Sequence, residues 1–132
     1  MLNTSIDKLG VAICYDIRFP EQFRYLAQQG AEIFVLPAAF TVPTGRAHWH
    51  VLCRSRAIEN LCYLVAAAQW GTHANQRQTF GHSLIVNPWG EIIAEATEAK
   101  DCVLIADIDL VQLQAWRKKL PVLQHQKFTI TM

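Results

Sequence analysis

LGVAICYDIRFPEQFRYLAQQGAEIFVLP, residues 9–37, is the stretch that decides the fold. Its first six residues, LGVAIC, are an apolar run rich in β-formers and read as a short buried strand. A turn-like segment, YDIRF, follows. Pro20 and Glu21 then open a helix, because proline suits the first helical position and glutamate the positive end of the helix dipole. Phe23, Leu26 and Ala27 share one face of that helix, and Gly30 stops it at C′. EIFVLP, residues 32–37, is a second buried strand. A strand, a helix of about ten residues and another apolar strand make a βαβ unit with a parallel pair.

Working outward, AAFTVPTG reads as a loop punctuated by Pro43 and Gly45. A long helix is expected from about Arg46 to Asn60, with Ala47, Val51, Ser55 and Ile58 as a small or apolar stripe. Residues 62–69, CYLVAAAQ, read as a third buried strand, and WGTHANQRQTFG as a polar surface loop. HSLIVN, residues 82–87, is a further strand. Asn87-Pro88-Trp89-Gly90 fits a type I turn, with proline second and glycine fourth. EIIAEA returns as the hairpin partner, and CVLIADID, residues 102–109, reads as one more strand. Residues 110–119 form a short helix whose closing Arg117, Lys118 and Lys119 suit its negative end. The remainder, PVLQHQKFTITM, reads as an extended tail. The fold class is therefore α/β, with a mixed sheet that turns antiparallel in its second half. Two helices cover only one face of such a sheet, so the other face needs a partner layer.

The totals agree. The chain has 132 residues, 52% of them hydrophobic, enough for one cored domain. Only 17% are charged, against a usual ~25%, as expected if some apolar surface is covered by something else. The net charge is +1 without a basic cluster, which argues against a nucleic-acid partner. No apolar segment approaches the ~18 residues that span a membrane. MLNTSIDKLG lacks the features of a signal peptide. Cys14, Cys53, Cys62 and Cys102 show no paired spacing, which points to free thiols and a cytoplasmic location.

Cys14 is the candidate nucleophile. It ends a strand of a parallel pair, where active sites gather, and the N–H of Tyr15 is placed to donate to a developing oxyanion. The plainer alternative is one more apolar residue in a strand. The run Cys14-Tyr15-Asp16-Ile17-Arg18-Phe19-Pro20-Glu21 resembles the nucleophile signature of the nitrilase superfamily, the carbon–nitrogen hydrolases. Leu36-Pro37-Ala38-Ala39-Phe40-Thr41, Thr44-Gly45-Arg46-Ala47-His48-Trp49, Arg54-Ser55-Arg56-Ala57-Ile58-Glu59-Asn60, Gly81-His82-Ser83 and Asn87-Pro88-Trp89-Gly90 are similar to the family as well, in the same order. The nearest branch is that of the deaminated-glutathione amidases and omega-amidases.

The resemblance implies the second half of a four-layer αββα sandwich, with residues 1–109 as a partial hydrolase domain and 110–132 as a short helix and tail. It implies an amidase without a cofactor or metal, in which a thiolate, a glutamate base and a lysine act on a small amide. Only Cys14 has a counterpart here. The glutamate and lysine precede the cysteine in the family, and no glutamate precedes Cys14. Lys8 stands six residues earlier on the same strand, roughly 20 Å away at ~3.3 Å per residue. The chain alone is therefore expected to be inactive; the alternatives are a silent remnant or a non-enzymatic partner subunit. Partners implied are a first half on another polypeptide or further copies of this chain.

Phe40, Thr41 and Thr44 are expected to line the substrate pocket, with Thr44 as the alternative helix N-cap. Asp16, Arg18 and His48 are expected to support the site. A cysteine–histidine pair drawing on His48, His50, His73, His82 or His125 is the second chemistry. His48 and His50, two apart on a helix, do not face each other as metal ligands. Two positions depart from the family pattern. His50 stands where glutamate commonly follows the His-Trp pair, and Gln126 where a basic residue usually follows the terminal histidine.

Overall fold

The computed structural model describes residues 2–3, as backbone alone, together with 8–97 and 100–128. Strand β1, Leu2–Asn3, pairs antiparallel with β2, Lys8–Val11. A 3-10 turn, Cys14–Arg18, leads into α1, Pro20–Gln28. The helix buries Phe23, Leu26 and Ala27 as its sequence requires, and Gly30 leaves it at φ 95°, a region open to glycine. Strand β3, Ile33–Ala38, then lies parallel to β2, completing the βαβ unit.

The next helix begins earlier than its sequence suggests. A single turn, α2 (Val42–Thr44), runs through a π-turn, Gly45–Trp49, into α3, His50–Asn60. Pro43 sits inside the first turn, where its missing N–H costs nothing. Thr41 therefore precedes the helix, and Thr44 is inside it instead of capping it. Gly45 has ordinary helical angles, yet a Cβ there would run into the Phe80 ring. The glycine thus serves a close approach and not a loop.

Strand β4, Tyr63–Ala68, adds to β3 in parallel. The expected surface loop is instead a hairpin of β5, Trp70–Thr72, and β6, Gln78–Phe80. Strands β7, Leu84–Val86, and β8, Ile92–Glu95, close the main sheet antiparallel, in the order β1-β2-β3-β4-β7-β8. Between them, Gly90 N–H donates to the Asn87 carbonyl at 2.9 Å, and the Asn87 side chain accepts from Trp89 and Glu91. Helix α4, Leu110–Lys119, is capped by Asp109. From Pro121 the chain turns, with Gln124 and His125 N–H both donating to the Pro121 carbonyl. Residues 129–132 of the expected tail lie outside the described residues.

One sheet face is sealed. Phe34, Leu36, Leu64, Ala66, Leu84 and Val86 point toward α1 and α3 and pack with Ile17, Phe23, Trp49, Cys53 and Ala57. Phe23 meets Phe34 edge-on at 5.1 Å. Among the described residues the opposite face is covered only at one end, where Leu113 packs on Ile33 and Tyr63. Arg117 fixes that end by donating to the carbonyls of Leu61 and Ala31. At the other end Val11 is 37% and Ile13 62% exposed, and Pro37 and Ala67 are exposed. Residues 102–109 form no strand. They join no ladder among the described residues, and Val103 and Ile105 are almost fully in solvent, whereas Asp109 N–H donates to the Tyr63 hydroxyl at 3.1 Å. Their alternating pattern is that of a strand, but among the described residues no neighbour offers a ladder to it.

The stripe expected on α3 faces outward: Val51 is 64% and Ile58 44% exposed. The buried residues of that helix are Cys53, Arg56, Ala57 and Asn60.

Candidate active site

Cys14 begins the turn after β2 with a left-handed backbone, φ 46°. A side chain with a Cβ adopts that region only at a cost, of order 1–3 kcal/mol. The turn repays it through fixed contacts. The Asp16 carboxylate accepts from Ile13 N–H at 2.9 Å and from the Gln22 amide at 3.3 Å. Phe19 N–H donates to the Asp16 carbonyl, and the buried Arg56 donates through Nε to the Ile17 carbonyl at 2.8 Å. Asp16 thus holds the turn. Arg56 is the supporting residue that sequence reasoning missed, because it reaches the turn across 39 positions.

Arg18 lies 5.3 Å from the rings of both Tyr15 and Phe40. Its guanidinium is 3.4 Å from His48 Nδ1, and since arginine only donates, the imidazole accepts there. Tyr15 projects outward, 64% exposed. Phe40 is buried against Trp49 at 4.9 Å. Thr41 and Thr44 share a hydroxyl hydrogen bond of 2.8 Å.

Cys14 opens on a cavity of about 900 Å³ at the carboxyl end of the parallel strands. Its walls come from Ile13, from Pro37–Ala39 and Ala67–Trp70, from Thr79–Ser83, and from Ala96, Thr97 and 100–102. That volume accommodates a small organic ligand. Phe40, Thr41 and Thr44 do not line it. Phe80 N–H instead ties the Phe40 carbonyl to the hairpin, and Arg77 ties Ala39. His82, one of the histidines considered as a partner for the thiol, does line it, and so does Cys102, which its sequence context did not single out. Among the described residues, no imidazole or carboxylate is hydrogen-bonded to the Cys14 sulfur.

His50 and His82 both approach Glu95 Oε1, each at 2.7 Å. Burial works to raise the Glu95 pKa, but the hydrogen bonds from the two imidazoles outweigh it and hold the carboxyl below its ordinary value. His73 does not stay in a free loop, since its Nε2 meets Thr79 Oγ1 at 2.8 Å.

All four cysteines are free thiols. Burial pushes Cys62 up to about 12 against the opposing pull of Arg117, and raises Cys53 as well against that of Arg56. Cys14 is half-buried and Cys102 exposed. Titration of the native chain with a chromogenic disulfide at neutral pH should therefore modify Cys14 and Cys102 quickly, and the other two only after unfolding. Fast modification of all four would contradict this placement.

The carbon-nitrogen hydrolase family model matches residues 1–118. The deaminated glutathione amidase of Synechocystis is 51% identical over 126 residues, covering 96% of this chain and 46% of that protein. The crystal structure of the Caenorhabditis elegans NitFhit protein superposes with a TM-score of 0.87 at 47% identity, over 92% of this chain and 30% of that one. A mutant amidase from Nesterenkonia, showing Michael addition of acrylamide at its active-site cysteine, superposes at 0.72 with 29% identity, over 91% and 46% of the two chains. The chain spans about half the length of that Synechocystis relative. No helix among the described residues is long and apolar enough to cross a membrane. The mixed sheet has the nitrilase fold, and the chain belongs to the carbon–nitrogen hydrolase family.

Proposed function

We propose that this chain is the nucleophile-bearing half of an amidase whose base and amine lie outside these 132 residues. The observation that carries the reading is Cys14 itself. It is held in a left-handed turn at a strand end and opens on a cavity with no internal base at hydrogen-bonding distance among the described residues. In the completed site a glutamate takes the thiol proton and the thiolate attacks the amide carbon. The Tyr15 N–H and a lysine stabilise the oxyanion. Collapse expels ammonia with the proton returned by the glutamate, leaving a thioester. Water, deprotonated by the same group, releases the carboxylic acid and the thiol. We keep Phe40, Thr41 and Thr44 as substrate-pocket residues of the completed site, since Phe40 accepts from Phe80 N–H and Thr41 bridges Thr79, both of which line the cavity. The names of the relatives suggest deaminated glutathione or a similar ω-amide as substrate.

The open sheet end at Val11, Ile13, Pro37 and Ala67, and the 102–109 segment, are the surfaces we assign to the complementing half. The exposed Val51 and Ile58 on α3 suit contact with a second copy. Four free thiols fit a reducing, cytoplasmic setting.

The test is an ammonia-release assay on ω-amides. The chain is assayed alone and then mixed with the first half of the Synechocystis amidase, with Cys14→Ala as control in both. We expect no Cys14-dependent release from the chain alone and clear release from the mixture. Cys14-dependent turnover by the chain alone would show an internal base. Silence in both would favour the remnant.

A further inference from the structure

Three side chains from distant parts of the chain converge beside the thiol cavity. His50 is the first residue of α3, Glu95 the last of β8, and His82 lies between β6 and β7. His50 Nε2 and His82 Nδ1 both point at the same carboxylate oxygen. The ligand atoms of all three lie within 4.8 Å of one another, the sole such histidine, cysteine or carboxylate trio among the described residues.

The rings are fixed before anything binds. Phe80 stacks on His82 with centroids 4.3 Å apart and meets His50 edge-on at 5.9 Å. The His82 backbone is held at φ 57°, and its carbonyl accepts from Trp49 Nε1 at 2.7 Å. The three side chains are 22–33% exposed, so an ion has access from solvent.

Two imidazoles and a carboxylate are the donor set of zinc sites that keep a position open. Tetrahedral bonds of ~2.0–2.1 Å set ligand atoms about 3.3–3.4 Å apart. Each imidazole would withdraw from Glu95 by a fraction of an ångström, and the two ring nitrogens, within 4.8 Å of each other, would close toward the same spacing. A neutral imidazole that now donates to Glu95 would pass that proton to its other ring nitrogen and free the lone pair, so no net proton need leave.

We propose that His50, His82 and Glu95 bind one divalent transition-metal ion of the zinc class. The sequence spacing hides the set, because Glu95 lies 45 residues from His50 and 13 from His82. His82 also lines the cavity of Cys14, so a bound ion ties α3 to that wall. The site stands on its own geometry and holds whether or not Cys14 is catalytic.

The test is titration of the chelator-stripped 132-residue chain with Co²⁺ alone, followed by Zn²⁺. One equivalent of Co²⁺ should bind with visible d–d bands of a nitrogen–oxygen site. Zn²⁺ should displace it, and no thiolate charge-transfer band should appear. His50→Gln and Glu95→Gln should each weaken binding by at least the ~10–100-fold that losing even an outer partner costs. Cys14→Ser and Cys102→Ser should leave it unchanged. Circular dichroism of His50→Gln, whose ring is partly in solvent, confirms that the variant is folded before its affinity is compared. No uptake by the wild-type chain, a thiolate band lost in either cysteine variant, or full affinity in folded His50→Gln would overturn the assignment.

Discussion

Arg56→Ala should destabilise the chain by about 2–4 kcal/mol, from an orphaned buried carbonyl and the space left by the arginine stem. Arg56 is 5% exposed. Its Nε satisfies the Ile17 carbonyl, its centre sits 5.7 Å from the Phe23 ring, and its NH1 reaches Glu59 at 3.0 Å. These contacts are not equal. Glu59 is 31% exposed, and a pair with one partner in solvent is worth about 0–1 kcal/mol. The orphaned Ile17 carbonyl, buried under α3, costs about 1–3 kcal/mol. The space left by the arginine stem adds a cavity term. Glu59→Gln should therefore shift the urea midpoint little, and Arg56→Ala a great deal. The same loss loosens the turn that carries Cys14, so native thiol reactivity at Cys14 should change in Arg56→Ala and stay constant in Glu59→Gln. A destabilisation below about 1 kcal/mol in Arg56→Ala would mean the Ile17 carbonyl finds water and the network is peripheral.

Arg56 also shows where sequence reading stops. The βαβ core was legible because its strands are continuous apolar runs and its helix carries proper start and stop residues. The place of Cys14 just past the first parallel strand was legible because the apolar run stops there. Arg56 appears in the sequence only as one charge on a helix; that it turns inward depends on a carbonyl from another element. That His82 meets Glu95 was hidden for the same reason. Pro43 and Gly45 misled in the other direction. Both are loop punctuation by composition, yet one opens a helix and the other makes room for Phe80. The β5–β6 hairpin was missed because its strands are three residues each and only half apolar or glycine. Residues 102–109 carry a strand pattern that finds no ladder among the described residues, so there the alternation did not become local structure.

The second large effect is alkaline. Cys53 and Cys62 have ordinary thiol values near 9.0 when unfolded, and burial raises both in the folded chain, Cys62 to about 12. Below pH 9 both states hold the proton and the folded state has its full stability. Above pH 9 the unfolded chain releases the two protons while the folded chain keeps them. Stability then falls as pH rises, until the folded values are reached. Each thiol multiplies the unfolding constant about tenfold per pH unit in that window, so the two together give about a hundredfold. A domain with the usual ~5–15 kcal/mol of stability cannot withstand many such steps. Urea unfolding at pH 8 and at intervals from pH 9 to 11 should show this slope, with Cys53→Ala as comparison. The variant loses one buried thiol and is less stable throughout, but its slope should be about half that of the wild type. Equal slopes in the two proteins would place the alkaline protons elsewhere, on groups outside the sealed face where Cys53 packs between α3 and the sheet.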